Sequence, residues 1–223
     1  AGARVDGHRR QIDVALHGPA RTVAHVLDEK PLRFLGDFAL SPSAIAGDAA
    51  VHGKFNFPLR KDLTASMVQV AATGTLQKLA ISPAPRGLTV SDGTLTMQVD
   101  NAGLSATGTA TLSGVRAAVD WQEQFGPNAK ERRKLVFSGR IAEMRTPGFG
   151  LPDFRFLSGP ADASVAYTQQ AGGKGEMLIN LEIADTAVRL PALGWTKAPG
   201  AAGTANLALS FDAKGLQQID SLS

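Results

Sequence analysis

The residues that could do chemistry are few and scattered. Four histidines stand at His8, His17, His25 and His52. None is paired at metal-ligand spacing, so each reads as a surface or turn histidine. The chain has no cysteine, which excludes disulfides, thiolate metal sites and a thiol nucleophile. No serine lies in a Gly-x-Ser-x-Gly elbow. Ser113, Ser138 and Ser158 each precede a glycine, as strand-end turn residues do. The glycines of Ala171-Gly172-Gly173-Lys174-Gly175 fall between two strand-like runs and read as a hairpin loop, not a phosphate cradle. Asp120 and Glu123, around Trp121, come nearest to the paired carboxylates of a glycosidase. In a strand that spacing sends them to opposite faces, so they do not converge. The expectation is no catalytic site, no metal and no cofactor.

Charge adds little. With 23 basic and 20 acidic residues the net charge is +3, a mild attraction to anionic surfaces without a nucleic-acid footprint. The densest basic run, Lys130-Glu131-Arg132-Arg133-Lys134, reads as a solvated loop or the start of a strand. Phe55 and Phe57 share a face with Val51 and Leu59, which makes that strip apolar instead of a platform for stacking bases. No nucleic-acid partner is expected.

The elements that position these residues are strands. Period-two alternation places Ile12, Val14 and Leu16 on one face, and likewise Val51, Phe55, Phe57 and Leu59. The same holds for Leu95, Met97 and Val99; for Leu104, Ala106, Gly108, Ala110 and Leu112; and for Val115, Ala117, Val119 and Trp121. It recurs in Met177, Ile179, Leu181 and Ile183, and in Leu207, Leu209 and Phe211. Such alternation means that one face leaves water and the other meets it. Ser91-Asp92-Gly93, Asn101-Ala102-Gly103, Ser113-Gly114, the 171–175 loop and Pro199-Gly200-Ala201-Ala202-Gly203 read as turns between the runs. From Gly87 to Trp121 the rhythm describes an up-and-down meander. Two segments read as helices: Pro19 to Glu29, with Val23, Val26 and Leu27 at helical spacing, and a short one over Leu32, Phe34, Leu35 and Phe38. Leu16-His17-Gly18-Pro19 returns as Leu157-Ser158-Gly159-Pro160.

The fold class expected is mainly β: an elongated, twisted and curled antiparallel sheet with one or two short helices. The chain begins in a polar run and stops just after strand-like sequence. It reads as one segment, 1–223, excised from a longer protein, with possible internal modules 1–156 and 157–223. No run of ~18 apolar residues exists to span a membrane as a helix, and Ala1 to Arg10 carries no signal-peptide core. The candidate working surface is the apolar face: Val14, Leu16, Val51, Phe55, Phe57, Leu95, Met97, Val99, Leu104, Leu112, Val119, Met177, Ile179, Leu181, Leu207 and Leu209. A second layer can cover such a face, or it can stay open as a groove for an apolar ligand. Pattern leaves both open.

Several motifs carry a family resemblance. Gly108 to Phe125, with Trp121-x-Glu123-x-Phe125, is followed by Arg132-Arg133-Lys134-Leu-Val-Phe-Ser-Gly139. Leu16-His-Gly-Pro19 precedes Val26-Leu-Asp-Glu-Lys-Pro-Leu32, and Phe57-Pro-Leu59 precedes Asp62-Leu63. Leu190-Pro-Ala-Leu-Gly-Trp-Thr-Lys197 precedes Pro199-Gly200. In this order the motifs resemble the YhdP-type branch of the AsmA-like superfamily, from about Gly7 to Asp212. The resemblance implies an inner-membrane-anchored, periplasmic protein of Gram-negative bacteria, with its anchor outside this chain. It implies kinship with bridge-like lipid transfer proteins, whose sheet curls like a taco shell around acyl chains moving between the inner and outer membranes. The implied partners are a phospholipid or other acyl lipid, the remainder of the same chain, and the membrane through segments lying outside it. The family has no catalytic residues to carry over, so Trp121, Glu123, Phe125, Trp195 and Lys197 receive no chemistry from it. The alternative is a structural or scaffolding envelope domain with its face fully covered. An envelope enzyme would need convergent polar groups that the sequence does not display.

Overall fold

The computed structural model describes residues 9–28, 41–64, 67–82, 88–126, 129–143, 156–212 and 215–222. The alternating runs become strands. β1 (Arg9–Pro19) leads into the helix α1 (Ala20–Asp28). After a 3-10 turn at Pro42–Ala44 come β2 (Ile45–Pro58), β3 (Gln69–Ile81), β4 (Val90–Asp100), β5 (Gly103–Leu112), β6 (Val115–Gln124) and β7 (Glu131–Ile141). Then follow β8 (Leu157–Ser158), β9 (Ala161–Gln170), β10 (Gly175–Glu182), β11 (Ala187–Leu190), β12 (Trp195–Lys197), β13 (Thr204–Asp212) and β14 (Gly215–Leu222). Eleven of them form one open antiparallel sheet in the order β1-β2-β3-β4-β5-β6-β7-β9-β10-β13-β14, and β12-β11-β8 form a small second sheet. The mainly β, curled-sheet expectation holds. β7 pairs with β9, Phe137 opposite Val165, so residues on both sides of position 157 share one sheet. Among the described residues no helix is long and apolar enough to cross a membrane.

The helix expected from Pro19 is α1. The segment expected to be a second helix, Leu32 to Phe38, lies outside the described residues. Of the expected turns, Ser113-Gly114 joins β5 to β6 with both residues at positive φ, 45° and 88°, as a tight two-residue hairpin requires. The Asn101-Ala102 turn is held by the Asp100 carboxylate, which accepts from the backbone N–H of Ala102 (2.7 Å) and of Gly103 (2.9 Å). Ser91-Asp92-Gly93 is not a turn. It lies inside β4, where Asp92 takes φ 50° and the register with β5 slips between Ser91 and Thr94. A side chain at Gly93 would crowd Leu79 on the next strand. The sequence Asp-Gly serves a β-bulge here, because an extra residue in one strand needs the same positive φ as a turn.

This bulge has neighbours. Gly47 (φ 113°) interrupts the β2–β3 register and Lys78 (φ 50°) interrupts β3–β4. Three adjacent strands are thus bulged at the same end, which increases their local coil. At that end Ile45, Leu79, Leu95, Leu112, Ala117 and Val119 bury against Ala20, Val23 and Ala24 of α1. Further along the same rim, the small sheet sets Leu157 and Val188 over Ala161 and Ile183, with Ile141, Leu181 and Ala205 beside them. One rim of the large sheet therefore carries α1, packed against β1 and β2, and further along it the small sheet.

The small sheet is fastened through polar groups. Thr186 is fully buried, and its hydroxyl donates to the Pro160 carbonyl at 2.5 Å. Lys197 Nζ donates to the carbonyls of Ile183 (2.6 Å), Thr186 (3.0 Å), Ala184 (3.1 Å) and Ala198 (3.4 Å). Arg140 bridges Asp162 (2.7 Å) and Asp185 (2.6 Å). The hydrogen bond that Arg140 donates to Asp185, then the charge of Asp162, raise its already high pKa, so this bridge keeps its cation at any ordinary pH.

Candidate functional site

The pairing registers assemble one face from every strand. Leu16 lies opposite Val51, Val51 opposite Gly74, and Gly74 opposite Met97. The row continues through Ala106, Trp121, Leu135 and Tyr167 to Met177, Leu209 and Ile219. Every strand of the large sheet contributes an apolar or aromatic residue, or Gly74. At ~4.8 Å per strand the row runs about 48 Å. A parallel row toward the covered rim passes through Ala49, Leu76, Leu95, Gly108, Val119, Phe137, Val165, Ile179 and Leu207. At Gly108 the β4 backbone comes so close that a Cβ would overlap the Thr94 carbonyl oxygen; only glycine admits that approach.

All the sequence-derived candidates fall on this one face. They do not share one environment. Leu95, Leu112 and Val119 are buried in the cluster with α1, and Ile179 and Leu209 in a second cluster with Phe211. Leu104 is buried as well. These residues form the floor of the face. Val14, Leu16, Val51, Phe55, Phe57, Met97, Val99, Met177, Leu181 and Leu207 are partly exposed. Six of them, Val14, Leu16, Val51, Phe55, Met97 and Val99, line an apolar hollow of about 90 Å³ over β1 to β4. That is the room of about three waters, so any longer apolar ligand would lie along the open face. A shallower hollow of about 590 Å³ opens on the opposite, polar face beside His52, Lys54, Gln98, Asp100, Ser105 and Gln122. Its lining mixes these polar side chains with Ala71, Val99 and the buried Leu104 and Glu123.

Among the described residues, the apolar face has one polar interruption away from its edge strands. Glu123 and Arg133 are cross-strand partners. Glu123 is 7% exposed and accepts from Trp121 Nε1 at 2.7 Å and from Arg133 Nε, while Arg133 is 21% exposed. Gln169 follows on β9, and Gly175 after it on β10. The Tyr167 ring stands where a Gly175 side chain would be, its hydroxyl nearest to that place, and its edge meets Phe211 at 6.3 Å. As expected, Asp120 lies on the other face, where it accepts from Gln122, so the two carboxylates do not converge. The expected solvation of the basic run holds for Lys130, Arg132 and Lys134, which are exposed, but Arg133 turns into the face. His17, His25 and His52 are exposed; His8 lies outside the described residues.

Sequence reasoning gave no role to Glu123, Arg133 or Lys197. For Glu123 the signal was present, since it continues the series Ala117, Val119 and Trp121 at period two. For Lys197 there was none, because three of its four acceptors, Ile183, Ala184 and Thr186, lie 11 to 14 residues earlier in the chain. The fold and face together define a class: an open, curled β-sheet protein with one continuous apolar surface. Comparison with protein-family models, curated proteins and solved structures gave no match at any of the three levels.

Proposed function

We propose that this chain is a segment of an envelope lipid-transfer protein of the AsmA-like kind, holding acyl chains along its apolar face and supporting their passage between inner and outer membranes from a periplasmic position. The supporting observation is the uninterrupted row from Leu16 to Ile219. Half of a ~30 Å hydrocarbon core is about 15 Å, so a row of about 48 Å has room for about three acyl lengths end to end. Burial stabilises each methylene by ~0.8 kcal/mol. Apolar walls along the row hold neighbouring acyl positions nearly equally, which permits sliding. Native mass spectrometry of the purified chain, with lipid extraction, tests this reading. Copurifying acyl lipid in a defined ratio is the expected result. Lipid-free protein that also takes up none from vesicles would sink it.

One observation favours a second reading, a scaffolding domain without ligand: the floor residues are already buried by α1 and by one another, and the enclosed apolar space is only about 90 Å³. The two readings differ at the half-exposed row. A scaffold would lose stability on charge insertion there, whereas a groove would lose ligand.

A further inference from the structure

The polar interruption of the apolar face needs its own explanation. A sheet does not require an ion pair there: well-packed apolar residues in place of a buried pair are often neutral or stabilising. Glu123 and Arg133 nonetheless sit beside Leu104 and one row from Trp121 and Leu135. Gln169 and the Tyr167 hydroxyl extend the polarity across β9. The interruption lies at the rim opposite α1 and the small sheet, where the connections are turns and loops. At the same rim the basic run enters β7, with Lys130, Arg132 and Lys134 exposed around Arg133. Arg133 faces the apolar row, whereas Lys134, opposite Gln122, lies on the other face of the sheet; with Lys130 and Arg132 it leaves three exposed cations near this rim beside Glu131, so the local surplus is positive.

We infer that this cluster is a seat for the phosphate of a membrane lipid whose acyl chain lies in the adjoining apolar row. The inference rests on the groove reading above and adds the headgroup chemistry. A phosphate diester or monoester is tetrahedral, anionic and rich in acceptors, and two of its oxygens fit the paired N–H groups of a guanidinium. Glu123 fixes the Arg133 guanidinium through Nε. The exposed lysines and Arg132 add attraction that salt screens. The amide of Gln169 and the Tyr167 hydroxyl supply neutral donors. From Arg133 the next row inward begins with Leu135, so a lipid with its phosphate here has its first methylenes on Leu135, Trp121 and Tyr167.

The test uses two probes of equal chain length, hexadecyl phosphate and hexadecanol, with inorganic phosphate as a third. The chain has two tryptophans, so Trp195→Phe leaves Trp121 as the reporting indole. In this protein hexadecyl phosphate should bind about tenfold more tightly than hexadecanol and shift Trp121 emission, with the preference shrinking as salt rises. Glu123→Leu combined with Arg133→Met should abolish the preference while hexadecanol still binds. Because that pair is buried, a second variant, Lys130→Gln/Arg132→Gln/Lys134→Gln, changes only exposed groups and should remove most of the salt dependence. Equal binding of the two probes, or a preference that survives both variants, overturns the seat while leaving the groove reading intact. Binding of neither probe overturns the groove and the seat with it. An Arg133-dependent Trp121 shift with inorganic phosphate as strong as with hexadecyl phosphate would assign the site to free phosphate and overturn the lipid.

Discussion

Glu123 shows what one residue can decide on this face. Its carboxylate is nearly out of water and is satisfied by an indole and a guanidinium. Removing it alone takes the carboxylate from a cation that is only 21% exposed. Glu123→Leu is therefore expected to cost about 3 kcal/mol, whereas Glu123→Leu with Arg133→Met should lie within about 1 kcal/mol of the parent. Urea unfolding of the four proteins of this cycle measures both. Lys197 is the other such residue. Its ammonium is shared among four carbonyls, and Lys197→Met leaves them without that donor. A loss of about 2 kcal/mol is expected, together with faster hydrogen exchange in β11 and β12. A uniform stability loss with unchanged local exchange would argue against a local role for Lys197 in holding the small sheet.

At the scale of elements, the three aligned bulges shape the covered rim. Gly47 is the most constrained, since it combines φ 113° with a Cβ position lying against the Lys78 and Gln77 carbonyl oxygens. Gly47→Val should destabilise the chain by about 3 kcal/mol, through backbone strain and overlap together. It should also loosen α1, whose Val23 and Ala24 pack on the coil that the bulges create. Hydrogen exchange of α1 checks this; protection equal to the parent's would separate the bulges from the docking. The strands themselves were legible in the alternation, and α1 in Pro19 and the residues after it. The bulge at Asp92-Gly93 was not distinguishable from a turn. Both need positive φ, and only the partner strands on either side determine whether the chain reverses or continues. The small sheet was also invisible, because β8, β11 and β12 are too short to display a period.

At the scale of the molecule, the question is whether the face is a core or a surface. Met97 and Ile179 separate the two. Met97 is half-exposed beside the apolar hollow, whereas Ile179 is 4% exposed within a cluster. Ile179→Asp should unfold the chain under either reading. Met97→Asp should keep most of the stability, with a loss below about 1.5 kcal/mol, and reduce acyl-lipid uptake from vesicles at least fivefold, on the order of 1 kcal/mol of binding. Thermal unfolding and lipid uptake, measured on the same samples, distinguish a groove from a scaffold. Loss of fold at Met97 comparable to that at Ile179 would favour the scaffold.

The sequence by itself determined which residues share a face. Side-chain direction in a strand alternates by stereochemistry, so Val14, Phe55, Met97, Ile179 and Leu209 could be sorted without coordinates. The same period runs on to Glu123, although the series read from the sequence stopped at Trp121 and the neighbours of Glu123 across the sheet stayed unknown. The tertiary structure decided what stands on the face and where it is interrupted. Leu95 and Val119 share a buried cluster with a helix far earlier in the chain, and the pairing of Glu123 with Arg133 rests on a strand register. Both are set by the coil of eleven strands acting together, a long-range property that no local periodicity encodes.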